Sequence, residues 1–408
     1  MSESEMVFRD LLSETKDGDW GVGEPTPGNA PVHVIRGTDF SEVIRGRIGG
    51  VPLRFLSEKT MGRRLLCAND ILIETAGGSR ERPTGRSLLV SQDVLDAFPG
   101  DVTCASFARF LRVDPDVASP RFIYWHLQHL YARGDMWIHQ VQHTGVARFQ
   151  FTRFSQTHKV QLPVRAEQEA VADVLGALDD KIAVNERIAA AVDDLAAALF
   201  EDLLTADAEG TEVLLGDIAD VNVRTVKAQD SGSLRYVDIS SVGVGSYGWP
   251  EEMPWRDAPG RARRKAAVGD TIWSTVRPNR RSHALVLDED PDLVFSTGLA
   301  VLSPKAVGPA FLYESTRLAS FQVYLESVAE GSAYPAVRAD RFKGAPIILP
   351  SEDARFRFEE TAMAMRLRAH QAHVESRTLA TLRDTLLPQL MSGRLRVKDA
   401  EKIVEDHV

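Results

Sequence analysis

Two stretches of the sequence combine cationic and amide side chains in a way that suits contact with nucleic acid. The first is the basic run 261–265, and the second, 277–282, follows an apolar segment at 271–276 that is predicted to be a β-strand. Arginine forms paired hydrogen bonds with guanine and asparagine with adenine, and both side chains also bind phosphate. The predicted contact residues are Arg263, Arg264, Lys265, Arg277, Asn279, Arg280 and Arg281.

A second basic loop follows another short apolar segment, 71–75. Gly77 and Gly78 begin this loop, and glycine lets a backbone approach a phosphate closely. Its predicted contact residues are Ser79, Arg80, Arg82 and Arg86. The alternative for both loops is an ordinary solvated surface, because exposed arginine is common in proteins.

Arg148 and Arg338 form a weaker matched pair of candidate contacts. Each lies shortly before a similar tripeptide, at 152–154 and 340–342. The phenylalanines around Arg148 suit a hydrophobic core equally well, and the tryptophans are better explained by packing than by stacking on bases.

A search for catalytic motifs finds no complete one. Segment 78–87 is bounded by glycines and basic, but its spacing differs from a P-loop and arginine replaces the lysine. The sequence contains neither an Asn-Pro-Pro-aromatic motif nor His-Glu-x-x-His. Four histidines have metal-like spacing but lack cysteine or carboxylate partners, so packing or solvent exposure explains them better. They are His126, His129, His139 and His143.

The elements that carry these loops recur along the chain with a period near 190–200 residues. Segment 65–75 resembles 265–275, which places Asp70 over Asp270. The other matched pairs, in the same order, are 33–40 with 235–242, 107–115 with 298–305, and 152–154 with 340–342. Chance similarity of short strands is the alternative, but the conserved order favours an internal duplication.

Each repeat is followed by a long amphipathic segment. Segment 167–204 contains no proline and one glycine, and its apolar residues recur every three or four positions, as they do at 354–387. A helix of about 38 residues is roughly 57 Å long and must bury its seam, for which the other copy is the obvious partner. Asn185 interrupts the seam and either sets its register or faces solvent. The predicted seam comprises Val171, Val174, Leu178, Ile182 and Leu195 with Phe358, Met365, Leu379, Leu382 and Leu386.

The overall charge of −10 argues at first against a nucleic-acid binder. Residues 164–211, however, hold 3 basic against 12 acidic side chains, so most of the excess acid lies in one segment. Each repeat can therefore still present a basic face. Two cysteines in 408 residues suggest a reducing cytoplasm, and neither a membrane span nor a signal peptide is expected.

The long segments carry a family resemblance. Segment 162–188 resembles the first conserved helix of the specificity subunits of type I restriction–modification enzymes, and 382–397, with LLPQLMSG at 386–393, resembles their closing helix and tail. Segments 145–154 and 331–342 resemble the ends of their target-recognition domains. The second helix begins without the Glu-Gln found at 167–168, and the first lacks the Pro-Gln-Leu-Met tail, so docking of partners at the two ends is expected to be unequal.

The resemblance implies a non-catalytic subunit that reads a bipartite sequence in double-stranded DNA, one half with each recognition domain. It also implies two methylation subunits, which carry S-adenosylmethionine, together with restriction and translocase subunits that act in phage defence. This chain itself is expected to hold no cofactor. A scaffold that does not bind DNA and a fused modification enzyme are the rival interpretations.

The predicted fold is α/β (α+β), with two globular target-recognition domains separated by two long, antiparallel, coiled-coil-like helices. We expect the first recognition domain at 1–163, the first long helix and link at 164–211, the second recognition domain at 212–350, and the second helix and tail at 351–408.

Overall fold

The computed structural model describes residues 4–78, 82–143, 146–206, 210–331 and 335–406. The chain divides into two compact units, Met1–Arg187 with His373–Val408, called unit 1, and Ile188–Ala372, called unit 2. Each unit contains one predicted recognition domain together with part of both long helices, whereas the sequence predicts separate segments for the helices.

Unit 1 combines short strands with short helices. Its strands are β1 (Ser4–Val7), β2 (Leu12–Asp17), β3 (Asn29–Ile35), β4 (Leu53–Ser57), β5 (Ile71–Glu74), β6 (Ala76–Gly78), β7 (Ser87–Leu89), β8 (Val102–Cys104), β9 (Ala108–Val113), β10 (Gln140–His143), β11 (Val146–Phe149) and β12 (Lys159–Leu162). Its α-helices before the first long helix are α1 (Phe40–Ile44), α2 (Glu58–Arg64), α3 (Gln92–Asp96), α4 (Pro120–Ala132) and α5 (Phe151–Thr157).

Within the main sheet of unit 1 lies β5, whose four residues are all buried. One sheet has the order β2-β9-β5-β7, a second β4-β3-β8, a third β10-β11-β6, and β1 pairs with β12. β3 and β8 run parallel, and the pairs of the β5 sheet are antiparallel. The apolar run Ile71-Leu72-Ile73 in this strand is expected where both faces of a sheet are covered.

Unit 2 repeats the main four-stranded sheet, the sheet with a parallel pair and the terminal strand pair of unit 1. Its strands are β13 (Thr211–Leu214), β14 (Ala219–Val221), β15 (Ser233–Val237), β16 (Glu252–Pro254), β17 (Ala262–Arg264), β18 (Thr271–Ser274), β19 (His283–Leu285), β20 (Leu293–Ser296), β21 (Leu299–Pro304) and β22 (Pro346–Leu349). The long helices are α6 (Arg165–Ala206) and α11 (Glu352–Met391), the short helices of unit 2 are α7 (Leu215–Ile218), α8 (Pro309–Arg317), α9 (Ala319–Ser327) and α10 (Ala339–Lys343), and α12 (Val397–Glu405) closes the chain in unit 1.

The duplication is visible in the strand order of the two units. The sheet β14-β21-β18-β19 corresponds to β2-β9-β5-β7, and β15 pairs with β20 in parallel as β3 does with β8. The turns before the central strands share the same side-chain hydrogen bond: a side-chain oxygen of Asp70 accepts from the Cys67 N–H at 2.8 Å and that of Asp270 from the Ala267 N–H at 2.8 Å. The predicted internal duplication is therefore confirmed.

The two long helices run antiparallel within each unit. In unit 1, Asp179 pairs with Arg383, and Asn185 Nδ2 donates to Glu375 Oε2 at 2.8 Å. In unit 2 the Phe200 and Phe358 rings lie 5.3 Å apart. Asn185 is 1% exposed, so it lies in the seam and not in solvent.

Most predicted seam residues are at least partly buried, but Leu195 is not. Val171, Val174, Leu178, Leu379, Leu386 and Phe358 are buried, whereas Ile182, Leu382 and Met365 are partly buried. Leu195 is 49% exposed, and after Asn185 the buried positions are instead Ala189, Ala196 and Phe200. The steps of four, seven and four residues from Asn185 keep one helix face inward and turn Leu195 outward.

Candidate functional site

In unit 2, the basic loop at 277–282 begins just beyond the end of β18. Arg277 and Arg281 both have φ of +54°, a left-handed conformation that costs a side-chain-bearing residue about 1 kcal/mol or more. Hydrogen bonds from the Arg280 and Arg281 N–H groups to the carbonyls of Arg277 and Pro278, each 2.9 Å, close a tight turn. Asn279 and Arg280 are exposed at its tip, as a contact with DNA requires.

This loop rests on a buried polar support. His283 is 0% exposed and its Nδ1 lies 2.6 Å from the Arg281 carbonyl oxygen. Burial lowers the pKa of His283 to about 4, so the ring is neutral near pH 7 and can donate from Nδ1 to that carbonyl. The Arg281 guanidinium itself donates to the Arg317 carbonyl. The Arg281 guanidinium therefore supports the loop, and its role as a DNA contact stays a prediction.

The other basic run of unit 2 is also partly used by the protein. Lys265 Nζ donates to the Leu293 carbonyl at 2.8 Å, and Arg263 Nη1 donates to the Ala262 carbonyl at 2.6 Å. Burial lowers the pKa of both Arg264 and Lys265. The ammonium group of Lys265 is thus engaged by backbone carbonyls, and the structure favours the 277–282 loop over this run as the contact surface.

In unit 1 the corresponding loop starts at β6. The predicted contacts Ser79 and Arg80 lie outside the described residues, and Arg82 is exposed. Arg86 forms a two-pronged ion pair with Glu74, with nitrogen–oxygen distances of 2.8 and 3.0 Å, and also donates to the Gly37 carbonyl at 2.6 Å. The Glu74 side chain is 3% exposed, so Arg86 neutralises a buried carboxylate, and its role as a DNA contact stays a prediction.

Beside this loop lies a groove of about 670 Å³ that no sequence motif indicates. Arg148 and Arg153 are exposed on its wall, and Gln150 and Gln156 add hydrogen-bonding amides. Phe107, on the turn between β8 and β9, is 61% exposed at the same groove. Its signal in the sequence is a large apolar residue at the start of segment 107–115, whose counterpart, 298–305, begins with glycine. Among the described residues, these groups form the best candidate contact surface of unit 1.

The phenylalanines near Arg148 belong to the core, the alternative that the sequence left open. They are Phe149, Phe151 and Phe154, which are 5%, 7% and 0% exposed.

Backbone hydrogen bonds also revise the predicted match between Arg148 and Arg338. The Phe149 N–H donates to the Thr75 carbonyl at 2.9 Å, and the Val337 N–H donates to the Thr275 carbonyl at 2.8 Å. Phe149 therefore corresponds to Val337, so the counterpart of Arg148 is Ala336. Arg338 corresponds to Gln150 instead; it is exposed and lies 3.1 Å from a carboxylate oxygen of Glu330.

The side chain of His143 lies outside the described residues. Among the residues that the structure describes, no three histidine, cysteine or acidic side chains are placed to hold an ion. His126 Nε2 instead lies 2.8 Å from His158 Nε2, and burial lowers the pKa of His126 to about 3. In the same described ranges, no helix has both the length and the apolar character needed to cross a membrane.

No protein-family model matches this chain, and neither does any curated protein. Among solved structures, it is similar to the S subunit of a type I restriction–modification system from M. genitalium, with 15% identity, 96% of each chain covered and a TM-score of 0.59. A chain from a structure concerning complex assembly and conformational transition of the type I R-M system has 15% identity, 96% and 98% coverage and a TM-score of 0.39. The HsdS subunit from Thermoanaerobacter tengcongensis has 14% identity, 96% and 97% coverage and a TM-score of 0.35. The duplicated fold of this chain is therefore that of a type I restriction–modification S subunit.

Proposed function

We propose that this chain is the DNA-specificity subunit of a type I restriction–modification complex, in which each unit reads one half of a bipartite target in double-stranded DNA. The observation that carries the proposal is the duplicated scaffold, because both copies present an exposed polar and basic surface near the end of the central strand. That surface comprises Arg82, Arg148 and Arg153 in unit 1, and Asn279 and Arg280 in unit 2.

The chemistry of these side chains accounts for both affinity and specificity. Arginine side chains attract the phosphates of DNA and can also donate paired hydrogen bonds to the O6 and N7 atoms of guanine. Asn279 can pair in the same two-pronged way with adenine. The tight, internally bonded turn at 277–281 holds Asn279 and Arg280 in place before DNA arrives, which reduces the entropy lost on binding.

The chemical steps belong to the partners in this proposal. Two methylation subunits supply S-adenosylmethionine and transfer its methyl group, and restriction and translocase subunits cleave the DNA in defence against phage. This chain contributes recognition and assembly in the cytoplasm, without a cofactor of its own. The absence of any complete catalytic motif from its sequence supports this division of labour.

The deciding experiment is methylome sequencing of a host that expresses this chain with its methylation partner. We expect methylation at one sequence made of two separated half-sites, and we expect Arg280→Ala to weaken or relax only one of the halves. Methylation that is absent, or that ignores sequence, in an assembled complex would overturn the proposal. Tight binding of S-adenosylmethionine by the isolated chain would favour a fused modification enzyme instead.

A further inference from the structure

Phe107 is an exposed aromatic ring on an unusually well-fixed backbone. It is a central residue of the turn closed by the Ala108 N–H and the Ala105 carbonyl at 2.8 Å, and its own carbonyl accepts from the Thr75 N–H at 2.8 Å. The flanking residues Ala105 and Ala108 are 7% and 0% exposed, yet Phe107 is 61% exposed. A large apolar side chain held in water on a rigid turn loses little entropy when a partner covers it.

The surroundings of Phe107 indicate what that partner is. Asp17, the carboxylate among the described residues that line the groove, is engaged by Arg109 through hydrogen bonds of 2.9 and 2.7 Å. Arg148 and Arg153 therefore dominate the charge of the groove. An apolar ring that shares a groove with cations suits a ligand that carries both anionic groups and flat apolar groups, which describes the phosphates and bases of DNA.

The scaffold does not require this aromatic residue. In unit 2 the equivalent carbonyl, which accepts from the Thr275 N–H at 2.9 Å, belongs to Gly298. A Cβ atom at Gly298 would lie 2.0 Å from Ile239 Cδ1, so a side chain there would require Ile239 to move. Phe107 is thus a feature of unit 1 alone, as expected for a residue that reads a sequence and not for one that maintains the fold.

We infer that Phe107 is a specificity-determining residue of unit 1, which makes an apolar contact with a base of the half-site that this unit reads. The inference rests on the proposed function and adds the residue and the type of contact. The contact is either with the methyl group of thymine or with the face of a base at a partly opened step, and both use the same apolar ring.

The test uses the full chain assembled with its methylation partner and two DNA panels, one varied in each half-site. Phe107→Ala is expected to weaken cognate binding at least about tenfold and to flatten the preference at one or two base pairs of a single half-site. Phe107→Tyr, which keeps the ring, should retain that preference. Leu53→Ala is the matched control, because Leu53 is also exposed in unit 1 (48%) but does not line the groove.

Two probes separate the forms of contact. Replacing thymine by uracil should reproduce the Phe107→Ala loss if the ring touches a methyl group, and 2-aminopurine should brighten on binding if the ring opens a base step. Unchanged base preference in Phe107→Ala, equal weakening for all sequences, or loss of partner assembly on a sizing column would each overturn the inference while leaving the proposed function intact. A wild-type complex that binds all DNA alike would overturn the proposed function itself.

Discussion

The loops that follow the central strands of the two units share one backbone frame but differ in support. The Glu74 N–H donates to the Arg86 carbonyl at 2.8 Å, and the Ser274 N–H donates to the Ser282 carbonyl at 2.8 Å, so these pairs of residues are equivalent. The unit 1 pair is a buried ion pair that closes an eleven-residue loop, 75–85. The unit 2 pair consists of two serines that close a seven-residue loop, 275–281.

The two units therefore differ in the side chains around a common backbone frame. The aspartates before the strands keep the same backbone hydrogen bonds, but Asp70 is paired by Arg112 from β9 and Asp270 by Arg224, which follows β14. The buried carboxylate is retained and the residue that neutralises it has changed position. Backbone geometry is therefore preserved in both units, while side chains around it diverge as the two surfaces acquire different shapes.

The largest expected effect concerns the helix seam, which differs from its sequence prediction in one unit. Leu178→Asp should destabilise unit 1 by about 3–5 kcal/mol, because Leu178 is 1% exposed and an unpaired charge there is desolvated. Leu195→Asp should change stability by less than about 0.5 kcal/mol, since Leu195 is 49% exposed. Chemical denaturation measures both, and a large loss in Leu195→Asp would contradict the observed register.

A second test addresses the supports beneath the loops. Glu74→Ala leaves the Arg86 guanidinium half-buried without its carboxylate and should cost about 3 kcal/mol of stability in unit 1. Ser274→Ala, at the equivalent position, removes a hydroxyl that donates to the Val276 carbonyl at 2.8 Å and should cost about 1 kcal/mol. Hydrogen exchange resolved by unit checks the comparison, which fails if the serine variant is the more damaging.

The sequence predicted the scaffold well because its signals are local and repeated. The offset of 200 between Asp70 and Asp270 identified the matching turns, and the predicted helix 167–204 compares with the observed Arg165–Ala206. The prediction of the seam beyond Asn185 was wrong at Leu195, because this stretch of the helix is rich in alanine. Several registers then look equally apolar, and the small Ala189 and Ala196 pack inward in place of the larger leucine.

The candidate site was less predictable, because a positive charge in a sequence does not reveal its partner. Arg86 is twelve residues from Glu74, and Arg281 is 36 residues from the Arg317 carbonyl, so neither pairing shows in local spacing. Phe107 and Arg153 were overlooked for the opposite reason. Only the folded sheet brings the turn before β9 and helix α5 to one groove.

The next prediction separates a contact residue from a positioning residue in the unit 2 loop. Arg280→Ala should weaken DNA binding by about 1–3 kcal/mol without changing stability, because Arg280 is exposed at the tip. Arg281→Ala should instead lower stability, since its guanidinium donates to the Arg317 carbonyl. Binding at several salt concentrations, with Arg256→Ala as an exposed control from another turn, distinguishes them. Equal effects of Arg280→Ala on both half-sites would break the assignment of one half to each unit.

The smallest expected effect is a difference in acid sensitivity between the units. Burial lowers the pKa of His126 to about 3 and of His283 to about 4, and it also lowers the pKa of His158, His129 and His139 in unit 1. A histidine whose pKa is lower in the folded state binds a proton more readily in the unfolded state, so acid favours unfolding. Its stabilising contribution is therefore complete above about pH 6.5 and is lost as the pH falls from there toward the folded-state pKa.

Between pH 6.5 and 5, His126 alone should remove about 1–2 kcal/mol from unit 1, and His283 a similar amount from unit 2. Unit 1 has further histidines with a lowered pKa, and the shared hydrogen bond couples the protonation of His126 to that of His158. Unit 1 should therefore lose its structure first on acidification. Hydrogen exchange followed from pH 7.5 to 5 measures the order of loss. His126→Gln should flatten the pH dependence of unit 1 and leave that of unit 2 unchanged, whereas parallel loss in both units, unaffected by this change, would show that the buried histidine pair does not control the acid response.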